Sequence, residues 1–154
     1  MEYNAITFLL PDKRKQAIIF EIQLGIPEPI NNYINEKNIW KSTMALVDTG
    51  ATGSCISRRF ATNAQLKPIK LGTVIGAHGI AIVPVYQIDI LLPNGIYFTN
   101  MEVAEFYGNI NFDFIIGMNI LRMGDMALTN AQGKTVFSFR IPPAEEHIDF
   151  IIKK

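Results

Sequence analysis

Apolar and polar residues alternate along much of this 154-residue chain, and turn-forming residues interrupt the alternation at short intervals. In one such segment Phe20, Ile22 and Leu24 share a face, whereas Glu21 and Gln23 lie on the other. A period of two is typical of a strand with one buried face. Many short strands and only two minor helical segments predict an all-β barrel or sandwich.

The first half of the chain predicts three strands and a loop. We expect residues 6–10 and 18–24 to form a β-hairpin through the turn PDKRK. Residues 25–41 contain several prolines and asparagines, which predicts a long surface loop with one helical turn at 31–37. The apolar stretch that ends at Val47 predicts a strand covered on both faces.

The next segments predict a helix and a hairpin. A short helix within SRRFATNAQL would be capped by the hydroxyl of Ser57. Residues 72–90 predict two β-segments around a glycine-bearing tip, followed by a turn at 93–95. Pro84 marks an edge or an exposed ribbon, because proline has no N–H to donate to a sheet ladder.

The C-terminal third predicts one more strand, a helical turn and a hairpin. DFIIG is a short buried strand, and MNILRM is a helical segment that ends at Gly124. Met126 and Leu128 are expected to pair with Phe137 and Phe139 through a turn at NAQGK. The tail HIDFII predicts a final short strand.

Composition limits the class of protein. Hydrophobic residues make up 49% of the chain and charged residues 18%, which fits one folded domain over residues 1–154. Fourteen basic residues balance fourteen acidic ones, so the charge does not favour nucleic acid as a partner. The single cysteine excludes an intrachain disulfide and fits a reducing, cytoplasmic setting. No signal peptide and no apolar run of bilayer length is recognised, and no membrane partner is expected.

The stretch ALVDTGATGSCIS places a lone carboxylate, that of Asp48, directly after an apolar strand. A carboxylate at the rim of a core is unfavourable unless a partner satisfies it. Aspartate before glycine commonly caps its own turn, which would provide such a partner. The alternative is that Asp48 takes part in chemistry, and the stretch by itself leaves both interpretations open.

Other candidate groups carry weaker signals. His78 and His147 have no partner at ligand spacing, so neither a metal site nor a cofactor is predicted. Cys55 is interpreted as a small buried apolar residue, with a Cys–His nucleophilic pair as the alternative. Asp113 and Asp125 are interpreted as surface or capping aspartates. GTVIGAHG lacks the strand-to-helix setting of a phosphate-binding loop.

Two motifs and a hairpin between them favour chemistry at Asp48. The active-site signature of the retropepsin-like aspartic proteases resembles the run Leu46-Val47-Asp48-Thr49-Gly50-Ala51. The second signature of that family is similar to Ile115-Ile116-Gly117, which a short helix follows. A glycine-tipped hairpin lies between the motifs, where the family carries its flap. The resemblance covers about residues 42–124.

The resemblance implies a closed all-β barrel of the acid-protease type that acts as a homodimeric aspartic endopeptidase without a cofactor. Asp48 of each subunit would activate a water, and the flap would cover the peptide substrate. Gly50 would supply a backbone conformation closed to other residues, and Gly117 would let the two motifs approach closely. Besides Asp48, the site residues implied are Thr49, Gly50 and Ala51 of the active-site loop, Ile75, Gly76, Ala77, His78 and Gly79 of the flap, and Ile115, Ile116 and Gly117 of the second-motif loop.

The chain departs from the retroviral pattern at two points. Thr52-Gly53 stands where retroviral enzymes carry an acidic pair, and Met118 stands where they carry an arginine. Substrate preference and dimer strength therefore do not carry over. The tail HIDFII is either a dimer strand or a strand of the single-chain fold. The alternatives to an enzyme are a non-catalytic dimerisation or peptide-binding module on the same fold, and a monomeric barrel with an incidental DTG.

Overall fold

The computed structural model describes residues 4–10, 17–26, 39–76, 79–108 and 111–147. Within these ranges the chain forms ten strands, two short α-helices and two 3₁₀ turns. The strands are β1 Asn4–Leu9, β2 Ile19–Ile26, β3 Ile39–Val47, β4 Cys55–Ser57, β5 Lys70–Gly76, β6 Gly79–Leu91, β7 Tyr97–Phe106, β8 Phe114–Ile116, β9 Asp125–Thr129 and β10 Val136–Ile141. The helices are α1 Arg58–Asn63 and α2 Met118–Leu121, and the 3₁₀ turns are Pro93–Gly95 and Ala131–Gly133.

Six strands close into a barrel. They follow the order β2-β3-β8-β4-β7-β6, and β6 pairs back onto β2, with Leu24 opposite Ile90. Gly25 stands at this seam, where an added Cβ would lie 3.0 Å from the Cβ of Asp89 and from the ring of Trp40. Each of these six strands pairs with a neighbour on both sides over at least part of its length. The predicted closed barrel is therefore confirmed.

Alternation along the strands fills the barrel interior. Phe20, Ile22 and Leu24 of β2 are buried, whereas Glu21 and Gln23 between them are exposed, as the sequence pattern predicts. Phe114 of β8 is fully buried with them. Burial of each large apolar side chain contributes about 1.5–3 kcal/mol. This core holds the parallel pair of β3 and β8, from which the candidate site extends.

A second, three-stranded sheet has the order β1-β10-β9. Its β9–β10 register places Met126 opposite Phe139 and Leu128 opposite Phe137, which confirms the predicted hairpin. The predicted hairpin of residues 6–10 with 18–24 is wrong, because β1 pairs with β10 and β2 joins the barrel. The two segments still meet through side chains, since the rings of Phe8 and Phe20 stack 4.5 Å apart.

The region before Asp48 also differs from the prediction. β3 begins at Ile39, inside the predicted loop of 25–41, and pairs with β2 along its length. This strand is not covered on both faces, since Met44 is 39% exposed. The predicted helical turn at 31–37 and the tail after His147 lie outside the described residues.

Helix α1 is anchored at its start by Ser57, as the sequence predicts. The Ser57 hydroxyl accepts a hydrogen bond from the N–H of Phe60 (3.0 Å) and donates one to Asp113 Oδ1 (2.5 Å). Arg59 reaches the same carboxylate oxygen with Nη2 at 2.8 Å. These contacts join the helix to the segment that leads into β8.

The β5–β6 hairpin extends beyond the barrel. Residues 79–84 of β6 pair with β5, whereas the pairing of β6 with β7 begins only at Val85. Pro84 lies at this boundary, so its missing N–H falls where the ladder with β7 has ended. Gly79 has a φ of +108°, which favours glycine in the return turn. The tip residues Ala77 and His78 lie outside the described residues.

None of the helices in the described ranges has the length and apolar character that crossing a bilayer requires.

Candidate functional site

Asp48 lies where two parallel strands end side by side. Val47 of β3 is opposite Ile116 of β8, and the N–H of Asp48 donates to the carbonyl oxygen of Ile116 at 3.0 Å. The chain leaves the sheet at this point on both strands. The two predicted motifs therefore meet in space, with Asp48 next to the segment that contains Gly117.

The Asp48 carboxylate is half-buried and only partly engaged. Its Oδ1 accepts a hydrogen bond from the N–H of Gly50 at 2.8 Å, which is the turn-capping contact that aspartate before glycine commonly makes. Within the described residues Oδ2 accepts no hydrogen bond. The capping interpretation thus accounts for one oxygen and leaves the other available to water or a ligand.

Other buried or half-buried carboxylates differ from Asp48 in this respect. Asp89 accepts from the Tyr97 hydroxyl through Oδ2 and from the N–H of Asn100 through Oδ1. Asp113 binds Ser57 and Arg59 through Oδ1 and Thr43 through Oδ2. Asp113 therefore holds side chains of β3, β4 and α1.

Asp125 has a structural environment as well. The backbone N–H of Ala144 and then the Arg140 guanidinium lower the pKa of its carboxyl group. Its Oδ2 lies 2.7 Å from the Ala144 nitrogen and 2.8 Å from Arg140 Nη2. Asp113 and Asp125 therefore both hold local contacts, and neither lies in the loop that follows β3.

The loop after Asp48 is fastened to the start of α2. The N–H of Met118 donates to the Ala51 carbonyl at 2.8 Å, and that of Asn119 donates to the Thr52 carbonyl at 3.1 Å. The Ser54 hydroxyl accepts from the N–H of Gly117 at 3.0 Å and donates to Asn119 Oδ1 at 2.8 Å. Ser54 and Asn119 were not predicted as site residues, and no local pattern in the sequence marks them.

Gly117 is required by packing. A Cβ at this position would lie 2.5 Å from the Gly53 carbonyl oxygen and 2.9 Å from that of Ala51. Gly50 has a different reason to be glycine from the one expected. The φ angle of Gly50 lies outside the left-handed region. The prediction that Gly50 adopts a backbone conformation closed to other residues is therefore wrong. Instead, a Cβ there would lie 3.2 Å from Asp48 Oδ1, the oxygen that the Gly50 N–H binds.

The remaining predicted residues fall into three groups. Thr49 is exposed at the tip of the turn. Ile116 is buried and Ile115 is half-buried, both on β8. Of the flap residues, Ile75, Gly76 and Gly79 are exposed on the β5–β6 hairpin; within the described residues this hairpin makes no hydrogen bond to the Asp48 loop.

A family model described as aspartyl protease matches residues 30–120, more than half of the chain. This chain belongs to the aspartyl protease family. The matched range contains both motifs, the β5–β6 hairpin and the barrel strands from β3 to β8.

The chain is similar in fold to a solved structure, and a second solved structure aligns less well. The crystal structure of a retropepsin-like aspartic protease from Rickettsia conorii aligns with a TM-score of 0.53 over 90% of this chain and 95% of that chain, at 13% identity. The retroviral protease-like domain of Ddi1 from Leishmania major aligns with a TM-score of 0.44 over 77% of this chain and 93% of that chain, at 17% identity. No curated protein sequence matches this chain. The predicted retropepsin-type barrel is confirmed.

Cys55 lies seven residues after Asp48, and the sequence left a nucleophilic role for its thiol open. Its thiol is half-buried and lies 3.7 Å from the Gly53 carbonyl oxygen. Burial, and after it the nearby Asp48 carboxylate, raises the pKa of the Cys55 thiol. A catalytic cysteine needs the opposite shift, because the thiolate is the nucleophile. The environment of Cys55 therefore disfavours the Cys–His alternative.

If the wild type cleaves peptides, we expect Cys55→Ala to cleave them at close to the same rate. The raised pKa keeps the thiolate fraction below the few per cent that an ordinary thiol has at pH 7. Initial rates on one peptide, with and without prior iodoacetamide treatment, measure this. Loss of cleavage in Cys55→Ala while the fold is retained would return the cysteine mechanism to consideration.

Proposed function

We propose that this chain is an aspartic endopeptidase whose active site forms between two copies, with Asp48 contributed by each. The observation that carries the proposal is the environment of Asp48. Its carboxylate is held beside the second motif, with Oδ1 on the Gly50 N–H and no hydrogen bond to Oδ2 in the described residues. Membership of the aspartyl protease family supports the same chemistry.

The chemistry needs two carboxylates in different protonation states. Two charged carboxylates about 4 Å apart repel by about 4 kcal/mol at an effective dielectric constant of about 20, so the pair retains one proton over a broad acid range. The ionised Asp48 takes a proton from the water that attacks the scissile carbonyl carbon. The protonated Asp48 donates its proton to the carbonyl oxygen as negative charge develops there.

A second copy supplies the partner carboxylate. Each chain has one DTG motif, so a single copy holds half of the proposed pair. The three-stranded sheet of β1, β10 and β9 offers a surface for pairing. Strand β9 lies at one edge of this sheet, and the outer backbone edge of β9 is not paired within the described residues. Met126 and Leu128 on β9 are 43% and 55% exposed. An apolar strip beside an unpaired strand edge favours association with another chain.

The β5–β6 hairpin is proposed as the flap over the substrate. Its exposed face carries Ile75, Ile80 and Ile82, which are between 74% and 79% exposed. The register pairs Ile75 with Ile80 and Thr73 with Ile82, so these side chains lie on one face of the hairpin. An exposed apolar face of this kind is suited to cover the side chains of an extended peptide and exclude water.

The test is cleavage of an unbiased peptide mixture between pH 4 and pH 7 at several subunit concentrations. We expect internal cleavage of peptides, with a rate per subunit that rises with concentration until dimers dominate. Peptides that stay whole at every pH and concentration would contradict the proposal. Whole peptides that remain bound to the protein would indicate a peptide-binding module instead.

A further inference from the structure

We propose that Ser54, acting through Asn119, positions the Asp48 loop for catalysis. This role rests on the proposed aspartic protease activity and assigns a positioning function to a residue outside both motifs. Ser54 is 2% exposed, and among the described residues of the loop between β3 and β4 it is the one whose side chain forms hydrogen bonds with residues 117–119. Its hydroxyl accepts one hydrogen bond and donates another.

The loop that follows Asp48 is held at both ends by the same neighbouring segment. At its first residue, the N–H of Asp48 binds the Ile116 carbonyl at 3.0 Å. At its end, the Ser54 hydroxyl accepts from the N–H of Gly117 at 3.0 Å. Two fixed ends determine where the residues between them lie, and these include Gly50, whose N–H holds the Asp48 carboxylate.

Asn119 fixes the direction of the Ser54 hydroxyl proton. A serine hydroxyl has one proton to donate, and here it goes to Asn119 Oδ1 at 2.8 Å. The lone pairs of the same oxygen are then directed to the N–H of Gly117. Without the Ser54 hydroxyl, the buried Gly117 N–H loses its acceptor and Asn119 Oδ1 loses the donor that binds it, so this end of the loop loses its side-chain attachment to α2.

The contacts between the loop and α2 involve no charged side chain. They join Ala51, Thr52 and Ser54 to residues 117–119, and all of these residues are neutral. Met118 is uncharged, so its side chain forms no ion pair with the loop. The hydroxyl–amide pair of Ser54 and Asn119 is therefore the side-chain element that fastens the site in this chain.

Ser57 provides a matched control. It is also 2% exposed, three residues further along, and its hydroxyl also accepts one hydrogen bond and donates another. Its partners are Phe60 and Asp113, which anchor α1 and not the Asp48 loop. A general loss of folding stability affects both serine variants, whereas loss of positioning affects only Ser54→Ala.

The experiment compares wild type, Ser54→Ala, Ser54→Thr and Ser57→Ala at a temperature where each is folded. We expect Ser54→Ala to lower kcat by about 10- to 100-fold with little change in KM, because misplaced catalytic groups slow the chemical step. Ser54→Thr retains the hydroxyl and most of kcat, and Ser57→Ala keeps the wild-type kcat. A double variant with both Ser54→Ala and Asn119→Ala should lower kcat no further than Ser54→Ala alone, because both changes remove the same hydrogen bond.

Amide hydrogen exchange gives a readout that does not depend on activity. In Ser54→Ala we expect exchange at Gly117, Met118 and Asn119 to be faster by about tenfold or more, with no such change in Ser57→Ala. If the wild type cleaves no peptide, the proposed function fails and the exchange result alone decides whether Ser54 positions the loop. Wild-type exchange in Ser54→Ala, or equal losses of kcat in the two serine variants, would overturn the positioning role.

Discussion

Asp48→Asn should lower kcat for peptide cleavage by about 10³- to 10⁴-fold, the contribution expected from an essential general acid and base. The change removes the ionisable proton and keeps the size of the side chain. The fold should survive, because the asparagine oxygen can still accept the Gly50 N–H that now binds Asp48 Oδ1 at 2.8 Å. Initial rates on a single peptide, with circular dichroism to verify the fold, measure the effect.

Asp113→Asn is the matched control for this prediction. It makes the same chemical change in a carboxylate that holds Ser57 and Arg59. We expect this variant to lose some stability and to retain kcat. A folded Asp48→Asn variant that cleaves peptides at the wild-type rate would refute the catalytic role of Asp48.

Subunit mixing extends the same variant to the question of the dimer. With a ninefold excess of Asp48→Asn chains and random pairing, the wild-type chains should show about one tenth of the activity that they show alone. The reason is that most wild-type chains then pair with a chain that lacks one ionisable carboxylate. Activity that is unaffected by the excess would show that each chain acts by itself.

Gly117→Ala should destabilise the protein by about 3 kcal/mol or more and abolish cleavage, because overpacking against backbone is hard to relieve. Its Cβ would lie 2.5 Å from the Gly53 carbonyl oxygen and 2.6 Å from the carbonyl carbon. Relief of these contacts requires the loop that carries Asp48 to move. Urea denaturation measures the loss in the free energy of unfolding.

Gly53→Ala is the control on the other side of the same contact. A Cβ on Gly53 meets no atom within 4 Å, and its φ is outside the left-handed region. We expect its free energy of unfolding to stay within about 0.5 kcal/mol of the wild type. A stable and active Gly117→Ala variant would show that the two motifs do not approach as closely as described.

Local patterns were sufficient to predict most strands and an all-β barrel or sandwich, and the resemblance to the retropepsin-like family implied the closed barrel; not every strand partner was predicted. The pairing of Met126 and Leu128 with Phe139 and Phe137 follows from alternation and a short turn. The partner of β1 did not follow, because a period of two marks the buried face of a strand and not its neighbour. Prolines and asparagines between residues 27 and 38 predicted a loop that extended to residue 41. The start of β3 at Ile39 was therefore not predicted.

Motif residues in the candidate site were predictable, whereas the contacts that hold them were not. Asp48 and Gly117 stand in recognisable runs, and the structure brings those runs together. Ser54 and Asn119 are 65 positions apart in the sequence, and their hydrogen bond arises only from the folded arrangement. A buried serine carries no local signal that distinguishes it from any other serine.

The most direct test is a crystal structure of the dimer at acidic pH. We expect both Asp48 carboxylates to lie within about 2.6–3.2 Å of one shared water, the reach of a direct hydrogen bond. Asp48 side chains that are too far apart for one water to bind both, or that face away from the dimer axis, would contradict the proposed mechanism.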